Sequence, residues 1–489
     1  MKKLLILIIV FSGILAACKK SWLEVVPFGS LTISSTDDYD KVMNDPDFYF
    51  QARFGGWGEA QLMGDEIAAE GAYFVTLGDR DLRSRLFEWR DSVYTASDQS
   101  SFALYKHLIQ SYQWNKVIDE VMSSSGGTDD RKRAIRAEAL ATRAWSTFNM
   151  AQNFCKPYNA ATASSDMGFP LITKADVNIK EYPRGTVQQT YDFITNDLKE
   201  AIASLPASPA FPTRWSKPAA QGLLGKVYLF MGRYNDALPL LKSALAGVLA
   251  NGRPTLYNYN ETLAPGGAFM PININSGPVN NPGNLQNDMR EAVISKVFYS
   301  GRFNGNYTGI NGTVLTPQAR ALYGPTDLRL KLYTTNNPDN TPNAASHVRK
   351  YGVQYSRWGL QLPDLYLLSA EVKARTGDLP GAVADVETLR RNRMPAADAV
   401  VPPAIAGNQT ALVKFIIDER IREFAMEGYR WFDMRRLTVD PLFAGITFTH
   451  TRYNANGTTT VYTLHQPNRL TLKFPRNILD GSPDTPDNP

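Results

Sequence analysis

Between Trp215 and Leu245, small and large residues follow one helical rhythm: Leu224, Gly225, Tyr228, Gly232, Tyr234, Ala237, Leu241 and Ala244. This is the spacing of a tetratricopeptide-type (TPR) helix pair, and its basis is steric. Gly225 and Ala237 fall where two antiparallel helices touch, while Leu224, Tyr228 and Leu241 fill the groove. A second copy lies far downstream, with Ala370, Gly377, Ala382, Val386 and Leu389 at matching offsets. The two units do not form a tandem array, because an insertion separates them.

Other helices surround these units. In Tyr105–Tyr112 bulky residues recur every three or four positions. Asp129-Asp130 places acid at the start of the next helix, and Pro157 ends it. A further helix is expected over Gln188–Ala203. A nearly all-apolar helix is expected over Gln409–Met426, and such a helix is buried. The insertion, Asn251 to Arg357, is rich in Asn, Gly and Pro, with turn signals at Pro265-Gly266-Gly267, Asn281-Pro282-Gly283 and Asn337-Pro338. Ala292–Tyr299 reads as one strand, Leu470–Phe474 as another, and Asp480–Pro489 as a frayed polar tail. The expected fold is mainly α: TPR-like helix pairs forming an extended scaffold, with a loop-rich insertion containing a few short strands. The divisions are 1–17, a signal peptide; 18–250, an N-terminal helical part; 251–357, the insertion; 358–480, a C-terminal part with the second TPR-like unit; and 481–489, the tail.

The start of the chain sets the compartment. Lys2 and Lys3 precede the apolar stretch Leu4–Leu15, which is shorter than the roughly 20 residues a spanning helix needs. It reads as a secretory signal. Leu15-Ala16-Ala17-Cys18 resembles a bacterial lipobox, so Cys18 is the expected lipidation site and first mature residue, anchored by several acyl chains. Cys155 is the only other cysteine, which leaves no internal disulfide and excludes a structural zinc site of several thiolates. The formal charge is +5, and losing Lys2 and Lys3 leaves +3. No long basic run exists, so no nucleic-acid partner is expected.

Catalytic constellations are missing. The four histidines, His107, His347, His450 and His465, form no HExxH pair. Gln221–Lys226 lacks the first glycine of a phosphate loop, and no GxSxG elbow occurs. Asp65-Glu66 is the most conspicuous acidic pair, and adjacent carboxylates are usually solvated or capping. The reading is therefore not an enzyme, with no cofactor and no metal.

Three stretches carry a family resemblance. Asp418–Arg436 resembles the ER-x-x-EF-x-x-EG-x-RW-x-D-x-x-R signature of the SusD/RagB family of outer-membrane nutrient-binding lipoproteins from Bacteroidota. Arg143-Ala144 leading through Pro157-Tyr158 to Asp166–Leu171 is similar to that family's helix and GVPL-like turn. The TPR pair, the lipobox and Trp22–Pro27 complete the order. The sequence departs from the family in having Lys19-Lys20-Ser21, not acids, after the cysteine, and in lacking an NPGY-like ending. In the signature itself, Glu419, Arg420, Arg422, Glu423, Glu427, Arg430 and Asp433 lie beside an apolar helix, where charges must pair. These residues read as scaffold, with Trp431 and Phe432 packed over them.

The resemblance implies a cell-surface lipoprotein of the outer membrane that captures oligosaccharides and delivers them to a TonB-dependent SusC-like transporter. Sugars are held by aromatic faces and polar side chains, and the ligand-binding candidates are Trp57, Tyr73, Phe74, Tyr257, Tyr259, Phe269, Arg302, Asn306 and Tyr307. A peptide ligand is the alternative within the family. A pure TPR scaffold for protein partners is the alternative outside it.

Overall fold

The computed structural model describes residues 33–51, 58–74, 82–95, 102–179, 182–299, 312–351, 355–482 and 485–489. Ten helices form its body: α1 (Thr36–Met43), α2 (Phe102–Glu120), α3 (Asp129–Phe154), α4 (Val187–Ser204), α5 (Lys217–Phe230), α6 (Tyr234–Ala250), α7 (Leu362–Arg375), α8 (Leu379–Arg391), α9 (Gln409–Phe424) and α10 (Tyr429–Leu437). Their starts follow capping chemistry. Thr128 accepts the Arg131 amide at α3, and Thr186 with Gln189 closes a capping box at α4.

The expected pairs are present. α5 packs on α6 and α7 on α8, with Ala237, Leu241, Ala370, Ala382, Val386 and Leu389 all buried. α6 also packs on α7, so the two TPR-like units stack directly although the insertion parts them in sequence. The fold is mainly α, with short strands drawn largely from the insertion and the ends.

Seven of those strands frame the site: β1 (Phe50–Gln51), β2 (Ile67–Glu70), β3 (Val297–Tyr299), β4 (Thr313–Leu315), β5 (Tyr355–Arg357), β6 (Thr449–Tyr453) and β7 (Thr459–Thr463). One sheet has the order β7-β6-β2-β4, with β6 parallel to β2 in the register Tyr453↔Glu70. A second has the order β1-β3-β5, with Gln51 opposite Phe298 and Tyr355 opposite Tyr299.

Three sequence expectations are corrected. Ala292–Tyr299 is not one strand: Ala292–Ile294 pairs with Leu360–Gln361, and the chain then changes sheets to form β3. At the change the Ser295 amide donates to Pro212 O (2.7 Å) and Lys296 Nζ to Phe48 O (2.5 Å). Leu470–Phe474 forms no strand, because its amides turn elsewhere: Leu472 N to Asn153 O and Phe474 N to Asp487 Oδ1, both 2.8 Å. The tail is docked. Asn488 is only 6% exposed and donates to Phe154 O and Leu472 O, while Arg184 holds Pro486 O and Asn488 Oδ1.

The C-terminal signature is a buried ion lattice. Arg420 bridges Asp364 and Asp433 (2.7 Å each), Asp364 also holds Lys226 (2.9 Å), and Arg436 joins Asp433 to Glu371. These bonds tie α5, α7, α9 and α10. Alongside, Arg329 and Arg393 tie Glu419, Glu423 and Glu291, fastening the insertion to α9. Burial pushes Glu419 up, but Arg329, Arg422 and Arg390 outweigh it and hold the carboxyl down at about 2. Trp431 and Phe432 are buried beside the lattice. Among the described residues no helix is long and apolar enough to cross a membrane.

Candidate functional site

Glu70 ends β2 at the centre of the four-stranded sheet, and one helical turn, Gly71–Phe74, follows it. That turn sends neighbouring aromatics opposite ways. Tyr73 is half-buried and its hydroxyl donates to Asp339 Oδ2 (3.0 Å), whereas Phe74 is 2% exposed and packs on Phe87. Asp339 also accepts from the Thr341 hydroxyl and amide, which lowers its pKa below the usual carboxylate range.

Glu70 Oε1 accepts from Asn343 Nδ2 (2.9 Å) and lies 2.5 Å from His347 Nδ1. The His347 ring stacks on Tyr453 with centroids 4.2 Å apart. Asn340 reaches Asn275 (2.7 Å), drawing the 272–278 hairpin to the same face. The result is a patch of half-buried aromatic faces, Tyr73 and Tyr453, beside acceptors and donors from Glu70, Asp339, Asn343 and His347. Such a surface suits polyhydroxyl ligands, whose C–H faces stack while their hydroxyls both donate and accept.

Trp57, Arg302, Asn306 and Tyr307 lie outside the described residues, as does Cys18. Residues flanking these aromatic-bearing segments are neighbours. Gln51 is beside Phe298 on one sheet, and a Cβ on Gly312 would stand 2.6 Å from Phe74 N on the other.

The remaining candidates sit apart. Tyr259 and Phe269 build a small separate core with Leu263, and Tyr257 packs against it. Phe269 is 1% and Tyr259 8% exposed. Arg393 lies over the Tyr259 ring at 4.5 Å. Phe269 and Phe74 serve packing, whereas Tyr259 also lines a cavity. Tyr257 is half-buried, its hydroxyl bonded to Asp288 (2.5 Å).

Asp65 and Glu66 are not a cleft pair. Asp65 binds Arg430 through two oxygens, and Glu66 is buried, accepting the Met426 amide at 3.1 Å. Burial, reinforced by Asp65, pushes the Glu66 carboxyl up to about 7. Burial likewise pushes the Cys155 thiol up to about 12. Among the described residues no group of three or more His, Cys, Asp or Glu is placed to hold a metal ion.

A family profile described as starch-binding and associating with the outer membrane (SusD-like) matches residues 77–229, and the SusD family profile matches 333–476; together they take in more than half of the chain. The chain belongs to the SusD/RagB family. A SusD-like protein of Formosa agariphila is 22% identical to this SusD/RagB chain over 324 residues, covering 55% of it and 62% of that relative. The chain thus spans less than two thirds of the relative's length. Among solved structures, a SusD superfamily protein from Bacteroides thetaiotaomicron superposes with a TM-score of 0.69 at 21% identity, covering 93% of this chain and 100% of that one. A SusD-like carbohydrate binding protein from Bacteroides vulgatus gives 0.63 at 18% identity, covering 88% and 89%. A laminarin binding SusD-like protein gives 0.59 at 16% identity, covering 93% and 99%. These likenesses establish the SusD fold.

Proposed function

We propose that this SusD/RagB protein is a carbohydrate-binding lipoprotein of the outer membrane, anchored through Cys18, that captures oligosaccharides and delivers them to a TonB-dependent SusC-like transporter without altering them. The observation that carries the reading is the face where Tyr73, Tyr453, His347, Glu70, Asn343 and Asp339 meet. Trp57, Arg302, Asn306 and Tyr307, outside the described residues, are further ligand-binding candidates in this proposal. The names of the carbohydrate binding and laminarin binding relatives support the ligand class. Capture and release need moderate affinity, so that the transporter can take over the cargo. Co-purification from native membranes tests the partnership: a TonB-dependent transporter should accompany the protein in stoichiometric amount, and its absence after mild cross-linking would count against delivery.

A further inference from the structure

A cavity of about 590 Å³ opens where the α5–α6 pair meets the insertion, and it shares no residue with the face around Tyr73. That volume lies in the range of small-molecule sites, roughly 300–1,000 Å³. Three segments enclose it: the approach to α5 (208–218), the end of α6 with the residues after it (248–255), and 289–293 of the insertion.

Each wall is fastened. Gly247 lets α6 close on Pro218: a Cβ there would stand 2.7 Å from the proline Cγ. Asn251 Nδ2 donates to Ala207 O (2.9 Å) and the Ser295 amide to Pro212 O (2.7 Å), which holds the stretch before α5 at both ends. The Thr255 amide donates to Arg290 O (2.9 Å), and Arg290 Nε to the Thr255 hydroxyl (3.1 Å), joining the other two walls.

The chemistry is graded from floor to rim. Pro218, Val248, Ala292 and Val293 are buried and make an apolar floor, with Pro212 and Met289 half-buried above it. Arg253 and Arg290 are exposed at the rim, and no acidic residue lines the space. Among the described residues neither guanidinium is paired with a carboxylate. The acids that flank Arg290 in sequence are engaged elsewhere: Asp288 accepts the Tyr257 hydroxyl, and Glu291 pairs with Arg393. The Arg290 guanidinium lies over the Tyr257 ring at 4.8 Å. That contact and the Thr255 bond fix its plane and leave its terminal nitrogens to an acceptor.

We propose that this cavity binds an amphipathic carboxylate, an aliphatic or aromatic body carrying one anionic head. The body takes the apolar floor out of water. The head meets guanidinium forks, whose geometry matches the two oxygens of a carboxylate. A neutral analogue gains only the first of these, and a polyhydroxyl ligand would find few partners on the floor. The proposal goes beyond oligosaccharide capture, uses other residues and does not depend on it.

Saturation-transfer NMR on the purified protein tests it, with decanoate and cinnamate against decanol and cinnamyl alcohol, all at concentrations too low to form micelles. The variants, checked for folding by thermal melt, are Arg253→Gln with Arg290→Gln, which removes the charge from exposed positions, and Met289→Trp and Ala210→Trp, which fill the space from its wall and its rim. At least one carboxylate should bind wild type at least fivefold more tightly than its alcohol. Its affinity should fall at least tenfold in the double arginine variant, and its signal should vanish in whichever tryptophan variants fold. Decanoate alone would assign an aliphatic body and cinnamate alone an aromatic one. Equal binding of acid and alcohol, full affinity in the double variant, binding that survives the tryptophans, or no carboxylate binding at all would each overturn the proposal. Oligosaccharide retention that depends on Tyr73 while both carboxylates fail would leave the capture reading standing and this one refuted.

Discussion

Gly225 lies directly against Leu241: a Cβ on the glycine would stand 2.6 Å from the leucine Cγ and 3.5 Å from Ala237 O. The contact pairs α5 with α6, so the close approach read from the sequence is real, with the Leu241 side chain and not Ala237 as nearest neighbour. Gly225→Leu should overpack this interface and lower stability by about 1–3 kcal/mol. Urea unfolding checks it, and an unchanged midpoint would contradict the packing account.

Arg420 holds two buried carboxylates, Asp364 and Asp433. Arg420→Ala leaves Asp364 with Lys226 alone and Asp433 with Arg436 alone, and should cost about 3–5 kcal/mol, the range for breaking a buried pair on one side. Arg430→Ala should cost less, because its partner Asp65 is partly exposed. Neither residue contributes to the face around Tyr73, so ligand affinity measured on the folded fraction should hold. Acid weakens the same lattice. Glu419 contributes fully above its ordinary value of 4.5, and that contribution is lost as pH falls toward about 2.

Glu66 has the opposite sign. Burial and Asp65 raise its carboxyl from 4.5 to about 7, so the folded state favours the protonated form. Its contribution is complete below 4.5 and is lost as pH rises through 7. Glu66→Gln removes the titration while keeping an acceptor for the Met426 amide. The variant should match wild type near pH 4 and exceed it by about 3 kcal/mol at pH 8. Equal stabilities at both pH values would show that the carboxyl is not shifted.

The scaffold was legible because its signals are local. Helical spacing placed Gly225, Ala237, Ala370 and Val386 correctly, and charges beside an apolar helix announced the lattice around Arg420. The site was legible only in part. Tyr73 was named as an aromatic candidate, but its partner Asp339 lies 266 residues away, and Glu70 meets His347 across 277. No local pattern pairs residues that far apart. Phe74 and Phe269 were misplaced for a related reason: an aromatic looks the same in sequence whether it faces solvent or core, and both are buried. Asn488 reads as tail in sequence because its partners, Phe154 O and Leu472 O, are backbone groups.

Cys18→Ala should release the protein from the membrane fraction. The motive is the Leu15–Cys18 lipobox. Metabolic labelling with a fatty-acid probe checks it, and an unlabelled wild-type protein would contradict the anchor.

In the proposed function, captured oligosaccharides stay chemically unchanged. Purified protein is incubated with an oligosaccharide library, and the bound and free fractions are both analysed by mass spectrometry, for wild type and Tyr73→Ala. At least one oligosaccharide should be retained intact, and Tyr73→Ala should weaken retention about tenfold, ~1.4 kcal/mol. Cleaved products that scale with protein concentration, or retention of no oligosaccharide at all, would contradict it.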